Sequence, residues 1–308
     1  MPQSLDIVAL GHILNERIVF PDQTTKAVLG SPVAYSMVCC ARLGGSVGIV
    51  THIGTDYPQE LLRPFGDAGV QTQGLICEGP DSTTNRLVYD ENGDKQIFYE
   101  KKAPDVCFED IPESYLDAQL FYVCPMDYEV SMATVERIRG TGALVGCDVG
   151  GYGGAHVDPT RQPPMVTDPE GTKELFGKFD VLKASDEDCR KIMGDRDVTD
   201  EEMAHHFLDW GVKVAVITRG EKGSYAATAD AAHAVPAFSG TPVDPTGGGD
   251  TYMAGFLTRY LQTRDVLESA RFASMTALLV IEQTGGVQAA RMPTFEQVSA
   301  RMASATTS

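Results

Sequence analysis

The stretch with the plainest chemistry is Val243-Asp244-Pro245-Thr246-Gly247-Gly248-Gly249-Asp250-Thr251. Three consecutive glycines stand between two acids. Apolar residues then recur at Met253, Phe256, Leu257, Tyr260 and Leu261, a spacing that predicts one face of a helix. The glycines therefore fall where a loop becomes a helix N-terminus, and there unpaired backbone N–H groups and the positive end of the helix dipole converge. Glycine lets the backbone approach a bulky anion closely, so phosphate is the expected guest. A carboxylate at Asp250 would repel that guest, unless its task is to take a proton there. A plainer reading of the same residues makes Asp250 a helix N-cap and the glycines a hinge. A Walker-type phosphate loop is excluded, because no Lys follows the glycines.

Such a loop needs a scaffold. Asp6 to Leu10 reads as a buried first strand, and no G-x-G-x-x-G follows Gly11, so a dinucleotide fingerprint is absent. Leu29-Gly30-Ser31-Pro32 opens a helix running to about Leu43-Gly44, with Pro32 in its first turn and Gly44-Gly45 as its stop. Val47 to His52 is the next strand. Further on, strands over Leu120 to Val123, Leu144 to Asp148, Val181 to Lys183 and Val212 to Thr218 alternate with helical patterns, which predicts a parallel sheet wrapped in helices. Cys124 and Asp148 then lie at carboxyl ends of strands, the edge at which open α/β sheets bind ligands. A last long helix spans Val266 to Gln283, before Gly285-Gly286. Thr83 to Lys101 alternates as a hairpin around Asn92-Gly93. It stands outside the α/β alternation, either as a lid or as a packed edge. The glycine-rich run at 150–154 is a turn with no chemistry of its own.

The chain has 308 residues, 43% of them hydrophobic, enough for one large α/β domain or two smaller ones. Its 25 Lys plus Arg against 43 Asp plus Glu give a net charge of −18, which argues against nucleic acids and anionic membrane surfaces as partners. A phosphate site must then be built from local dipoles. The 7 cysteines include no C-x-x-C pair and suit buried thiols in a reducing cytosol. Neither a signal peptide nor a membrane-spanning apolar tract is evident, so the expected location is cytoplasmic.

Asp244-Pro245-Thr246-Gly247-Gly248-Gly249-Asp250 resembles the D-T-x-G-A-G-D signature of the ribokinase-like carbohydrate kinases, the phosphofructokinase B family. The resemblance runs in order from Gly11 to Gly286. It implies a ribokinase-like three-layer α/β fold, with a mostly parallel central sheet flanked by helices and a small β lid. The chain would be a single domain over 1–308, with lid strands from about 13–30 and 83–103. Asp250 would be the base, and the N–H groups of Gly247, Gly248 and Gly249 would stabilise the phosphoryl in transfer. Val216 to Ser224 is similar to the family's T-x-G-x-x-G nucleotide segment, which implies that Thr218, Gly220 and Gly223 meet ATP. The run from Lys183 to Asp188 occupies the place of the N-x-x-E motif, with Ser185 for the Asn and Asp188 for the Glu. Both keep oxygen atoms suited to magnesium, although Ser185 and Asp186 also make a good helix cap.

For the acceptor, the resemblance points to Glu16, where members often carry Asp, and to the Gly30-Ser31 pair. Asn85 on the lid and Asp148 at a strand end are further polar residues near the expected pocket. Tyr35 stands where ribokinase itself has Asn, which speaks against ribose, and the surrounding pattern is closer to the inositol-kinase branch. The Gly285-Gly286 turn resembles a monovalent-cation site completed by Asp244, which implies a boost from K⁺ beside a need for Mg²⁺. The implied activity is transfer of the γ-phosphoryl of ATP to a polyol or sugar hydroxyl, myo-inositol-like by preference. A nucleoside kinase of the same family is the alternative, and an inactive nucleotide-binding relative is a third reading. A monomer or a lid-mediated homodimer fits equally.

Overall fold

Apolar runs of strand length and amphipathic helices alternate along most of the chain, and the computed structural model pairs them into two sheets. It describes residues 4–305 except 20, 22–23, 26, 90, 92–94, 159–168 and 194–197. In chain order the first elements are β1 (Ile7–Leu10), β2 (Leu14–Val19), β3 (Val28–Gly30), α1 (Pro32–Arg42), β4 (Val47–Ile53), α2 (Arg63–Ala68) and β5 (Gln71–Cys77). Then come β6 (Thr84–Tyr89), β7 (Lys95–Lys101), β8 (Leu120–Val123), α3 (Met132–Arg139), β9 (Leu144–Asp148), α4 (Pro169–Phe176) and β10 (Val181–Ser185). The last part holds α5 (Asp186–Ile192), α6 (Asp200–Asp209), β11 (Val214–Thr218), β12 (Ser224–Ala227), β13 (Ala232–Val235), α7 (Gly248–Thr263), α8 (Val266–Ile281) and α9 (Phe295–Ala305).

The large sheet has 9 strands in the order β13-β12-β11-β10-β9-β8-β1-β4-β5. Every pairing from β5 to β11 is parallel, and only β12 and β13 run antiparallel at the edge. Both faces are covered, so side chains alternate between two cores. Ile7 and Ala9 join the layer of α1, α7, α8 and α9, while Val8 and Leu10 join that of α3, α4, α5 and α6. Gly255 lets α7 and α8 close on each other, since a Cβ there would stand 2.8 Å from Thr276 Oγ1. Chain order reverses at β1, with β4 on one side and β8 on the other, and such a switch point opens a crevice at the strands' carboxyl ends.

The second sheet has 4 strands in the order β3-β2-β6-β7. β2 and β6 pair in parallel, with Glu16 opposite Asn85. β6 and β7 form the expected hairpin, with Leu87 opposite Ile97. Its Asn92-Gly93 turn, together with Phe20, lies outside the described residues. The root of this sheet is tied down by His12, whose Nδ1 meets Thr83 Oγ1 at 2.8 Å and whose Nε2 meets Pro104 O at 2.8 Å. Burial pulls the His12 imidazole below its usual pKa, against the pull of Glu129, which favours its neutral form. A carbonyl only accepts, so Nε2–H donates to Pro104 and Nδ1 accepts from Thr83. Thr83 Oγ1 in turn accepts from Ala103 N at 3.0 Å.

Candidate active site

The predicted loop-to-helix junction is present. Gly247 is the N-cap of α7, with φ of 78°. It must be glycine twice over: its backbone is left-handed, and a Cβ would stand 2.3 Å from the Tyr35 ring. The first intrahelical bond runs from Thr251 N to Gly247 O at 2.9 Å. The N–H groups of Gly249 and Asp250 precede it, while that of Gly248 turns back to Pro245 O at 3.1 Å. Asp250 is thus a first-turn residue rather than the cap. Ser36 Oγ holds its backbone carbonyl at 3.0 Å.

β10 brings a cation to this loop. Lys183 is 5% exposed, its Nζ lies 2.9 Å from Asp148 Oδ2, and a Cβ on Gly249 would stand 3.3 Å from that same Nζ. Burial alone would lower the Lys183 pKa, but Asp148, Asp188 and Asp250 together push it above the usual lysine value. In a chain of net charge −18 this buried ammonium is a local positive charge beside the anion loop. Asp148 is 1% exposed; one oxygen takes Lys183 and the other accepts from Gly150 N at 3.0 Å. It therefore sits behind Lys183 as its counter-ion, away from the cavity wall.

Ser185 and Asp188 form a reciprocal cap on α5. Ser185 Oγ donates to Asp188 Oδ2 at 2.7 Å and accepts from Asp188 N at 3.0 Å. Asp188 Oδ1 accepts from Ala155 N at 2.7 Å, and so keeps acceptor capacity on that oxygen. Burial would raise the Asp188 pKa, but Lys183, His156 and the N–H donors of Ser185 and Ala155 hold it below the usual carboxylate value. Thr218 ends β11 at the cavity and Gly220 follows it. Gly223, with φ of 88°, lies against β13 instead, where a Cβ would stand 2.1 Å from Val235 O.

At the opposite end, Glu16 Oε2 accepts from Asn85 Nδ2 at 3.1 Å. Gly30 makes room for this acid, since a Cβ there would stand 2.9 Å from Glu16 Oε1. Ser31 caps α1 through Ala34 N at 3.2 Å, with φ of 115°, a left-handed value that favours glycine.

One cavity of about 760 Å³ joins the two ends. Its wall includes Glu16, Ser31, Lys183, Ser185, Asp188, Thr218, Gly220, Gly247, Gly248, Gly249 and Asp250. Gly30, Asn85, Asp148, Gly223, Asp244 and Gly286 stand behind or beside that wall. Asp244 and Gly286 do come together, around the buried guanidinium of Arg291, which donates to the carbonyl of each. Sequence reasoning missed Arg291, and it also missed Met126, His156 and Arg190 on the wall. Single basic or apolar residues, Arg190 on α5 and the others in loops, carry no spacing signal. Among the described residues no group of three or more His, Cys, Asp or Glu could hold a metal directly. Magnesium beside a triphosphate needs few protein ligands, and the spare acceptor capacity of Asp188 is compatible with that.

The profile of the pfkB family carbohydrate kinases matches residues 6–293. A cytidine kinase of Thermococcus kodakarensis is 30% identical over 284 residues, covering 91% of this chain and 98% of its own. A fructokinase of Xylella fastidiosa, solved with bound ATP, superposes with a TM-score of 0.81 at 19% identity, over 98% of this chain and 99% of its own. A pyrophosphate-dependent kinase of the ribokinase family, solved with a pyrophosphate analogue and myo-inositol, gives 0.78 at 17% identity, over 92% and 98%. With the profile spanning both ends of the cavity and a near full-length relative agreeing, the chain belongs to the pfkB family of carbohydrate kinases, as a sugar or nucleoside kinase with the ribokinase-like fold.

Proposed function

We propose that this kinase transfers the γ-phosphoryl of ATP to a hydroxyl of a nucleoside. The observation that carries the choice is the acceptor end of the cavity. There a polar couple, Glu16 with Asn85 behind it, shares the lining with Ser31, and Leu14, Leu87, Ile97 and Met126 make up its apolar part. A ring bearing hydroxyls all round would leave several of them without partners against that wall, at a cost. A nucleoside divides as the wall does, with sugar hydroxyls for the polar couple and a base for the apolar side chains. The 30% identity to a cytidine kinase supports the same choice.

In this reading the acceptor hydroxyl lies between Asp250 and the γ-phosphorus. Its oxygen forms the new P–O bond, the bond to the β–γ bridging oxygen breaks, and Asp250 takes the proton. The first-turn N–H groups of α7 and the Lys183 ammonium face the charge on the phosphoryl. Thr218, Gly220, Ser185 and Arg190 line the nucleotide end. Asp188 and Ser185 would hold a magnesium ion through water, and the ion when bound would supply charge neutralisation on the phosphate oxygens. The second sheet acts as a lid, excluding water that would hydrolyse ATP.

A polyol such as myo-inositol is the second reading. It is favoured by the cavity's aromatic content: Tyr99 is committed through its hydroxyl to Met126 O and His156 O, Phe98 is exposed beside Arg86, and Tyr35 alone faces the cavity. A base therefore finds no aromatic sandwich among the described residues. A coupled assay over cytidine, adenosine, ribose, fructose and myo-inositol separates the two. We expect a nucleoside to lead in kcat/KM by tenfold or more, about 1.4 kcal/mol. A lead for myo-inositol would assign the site to the polyol.

A further inference from the structure

Arg291 is 3% exposed, and its guanidinium sits among backbone carbonyls drawn from three segments. Nε donates to Val280 O and Gln283 O at the end of α8, each at 3.2 Å. Nη1 donates to Gly286 O at 3.2 Å. Nη2 donates to Asp244 O at 3.1 Å and Thr246 O at 3.2 Å, in the loop that leads into Gly247. Asp244 Oδ2 stands 3.5 Å from the same Nη2. Carbonyls gathered this way, with a carboxylate and the negative end of the α8 dipole, make a cage for one cation. The guanidinium also lies 6.0 Å from the centroid of the Tyr35 ring, and that ring packs on Gly247. One charge thus reaches the N-cap of α7 both through the loop and through an aromatic ring.

We propose that Arg291 is a built-in cation of the anion loop, a positioning residue that makes a bound monovalent ion unnecessary. A potassium ion does not fit here: the oxygens it would take are those the guanidinium holds, and two cations in one cage repel each other. The covalently attached charge is always present, so loop geometry is independent of ionic composition. The proposal rests on reading residues 247–250 as the phosphate site.

The test compares the wild-type protein in potassium and in tetramethylammonium salts at equal ionic strength, by kinase assay and by thermal melting without substrates. Equal kcat/KM and equal Tm in the two salts are expected. A stimulation by potassium beyond about threefold, or a Tm rise specific to potassium, would overturn the proposal. Arg291→Ala should lower kcat/KM by about 10²-fold, as a displaced catalytic loop does. Added guanidinium or potassium ion should restore part of the loss and raise Tm, where tetramethylammonium does neither. A purely structural arginine would give a loss that no cation repairs, and that outcome also overturns the proposal. Should Arg291→Ala not fold, Arg291→Gln and the wild-type comparison decide, with potassium dependence expected to appear in the glutamine variant and its absence counting against us. A protein that phosphorylates none of the acceptors in any salt would refute the kinase reading, while the melting comparison still judges the cation.

Discussion

Asp250 carries the reaction in this reading, and its setting separates its role from that of its neighbours. Its backbone is fixed by helix α7 and by Ser36 Oγ at 3.0 Å, so changing the carboxylate to an amide need not move the loop. Asp250→Asn is therefore expected to lower kcat by roughly 10²- to 10⁴-fold, the usual worth of a general base. Affinity for a non-hydrolysable ATP analogue should stay near wild type, or rise, because a charge that repels phosphate is gone. Steady-state rates with calorimetric titration check both halves, and a wild-type kcat would remove Asp250 from the chemistry. This residue was legible in the sequence because an acid beside three glycines at a helix start is chemically odd on its face. Tyr35 was legible only as a departure from ribokinase at the acceptor end, and Arg291 was not legible as part of the site. Their effect lies in a ring packed on Gly247 and a guanidinium spread over carbonyls from three segments, and neither contact leaves a local pattern.

At the scale of elements, strands buried on both faces were easy to read, since β1 and β8 are short apolar runs and β10 departs from one only at Lys183 and Ser185. β5 was harder, because its first three residues are exposed polar side chains at the sheet edge. Gly223 showed the limit of motif matching: the glycine is there, but its close contact is with β13 and not with the cavity. The junction of β10 and α5 shows one residue serving two ends. Asp188 caps the helix and also faces Lys183, with its pKa held below the usual value by that charge and by N–H donors in spite of burial. A folded pKa below the unfolded value of about 3.9 means a stabilising contribution that is full above that pH and fades as pH falls through the folded pKa. Asp188→Asn should then destabilise the protein by about 1.5–3 kcal/mol at pH 7, the range for hydrogen bonds to a charged group. The gap from wild type should shrink on acidification below the unfolded carboxylate pKa. Urea unfolding at neutral and acid pH measures it; a gap that is constant with pH would mean the charge of Asp188 contributes nothing.

Over the whole molecule, the cavity is shared between two sheets of different attachment. The large sheet supplies Lys183, Ser185 and Thr218 from strands buried between helical layers, and the small sheet supplies Glu16 from β2, with Asn85 behind it on β6. The small sheet is anchored at one end. There His12, Thr83, Ala103 and Pro104 form a buried hydrogen-bonded chain, and Lys101 bridges Asp56 at 2.9 Å and Asp81 at 2.7 Å. Toward its other end β6 and β7 present Leu87 and Ile97 to the cavity. Closure over an acceptor would therefore pivot about the root and be felt most in the outer half of the hairpin. We expect amide exchange over residues 95–99 and 86–89 to slow when acceptor and a non-hydrolysable ATP analogue bind together, more than with either alone. Residues 83–85 and 101–103 should change little, being held already in the free protein. Exchange followed by mass spectrometry, peptide by peptide, reads this directly. Protection confined to 244–256, with none in the hairpin, would make the second sheet a fixed wall, and exclusion of water would then have to come from the acceptor's own bulk.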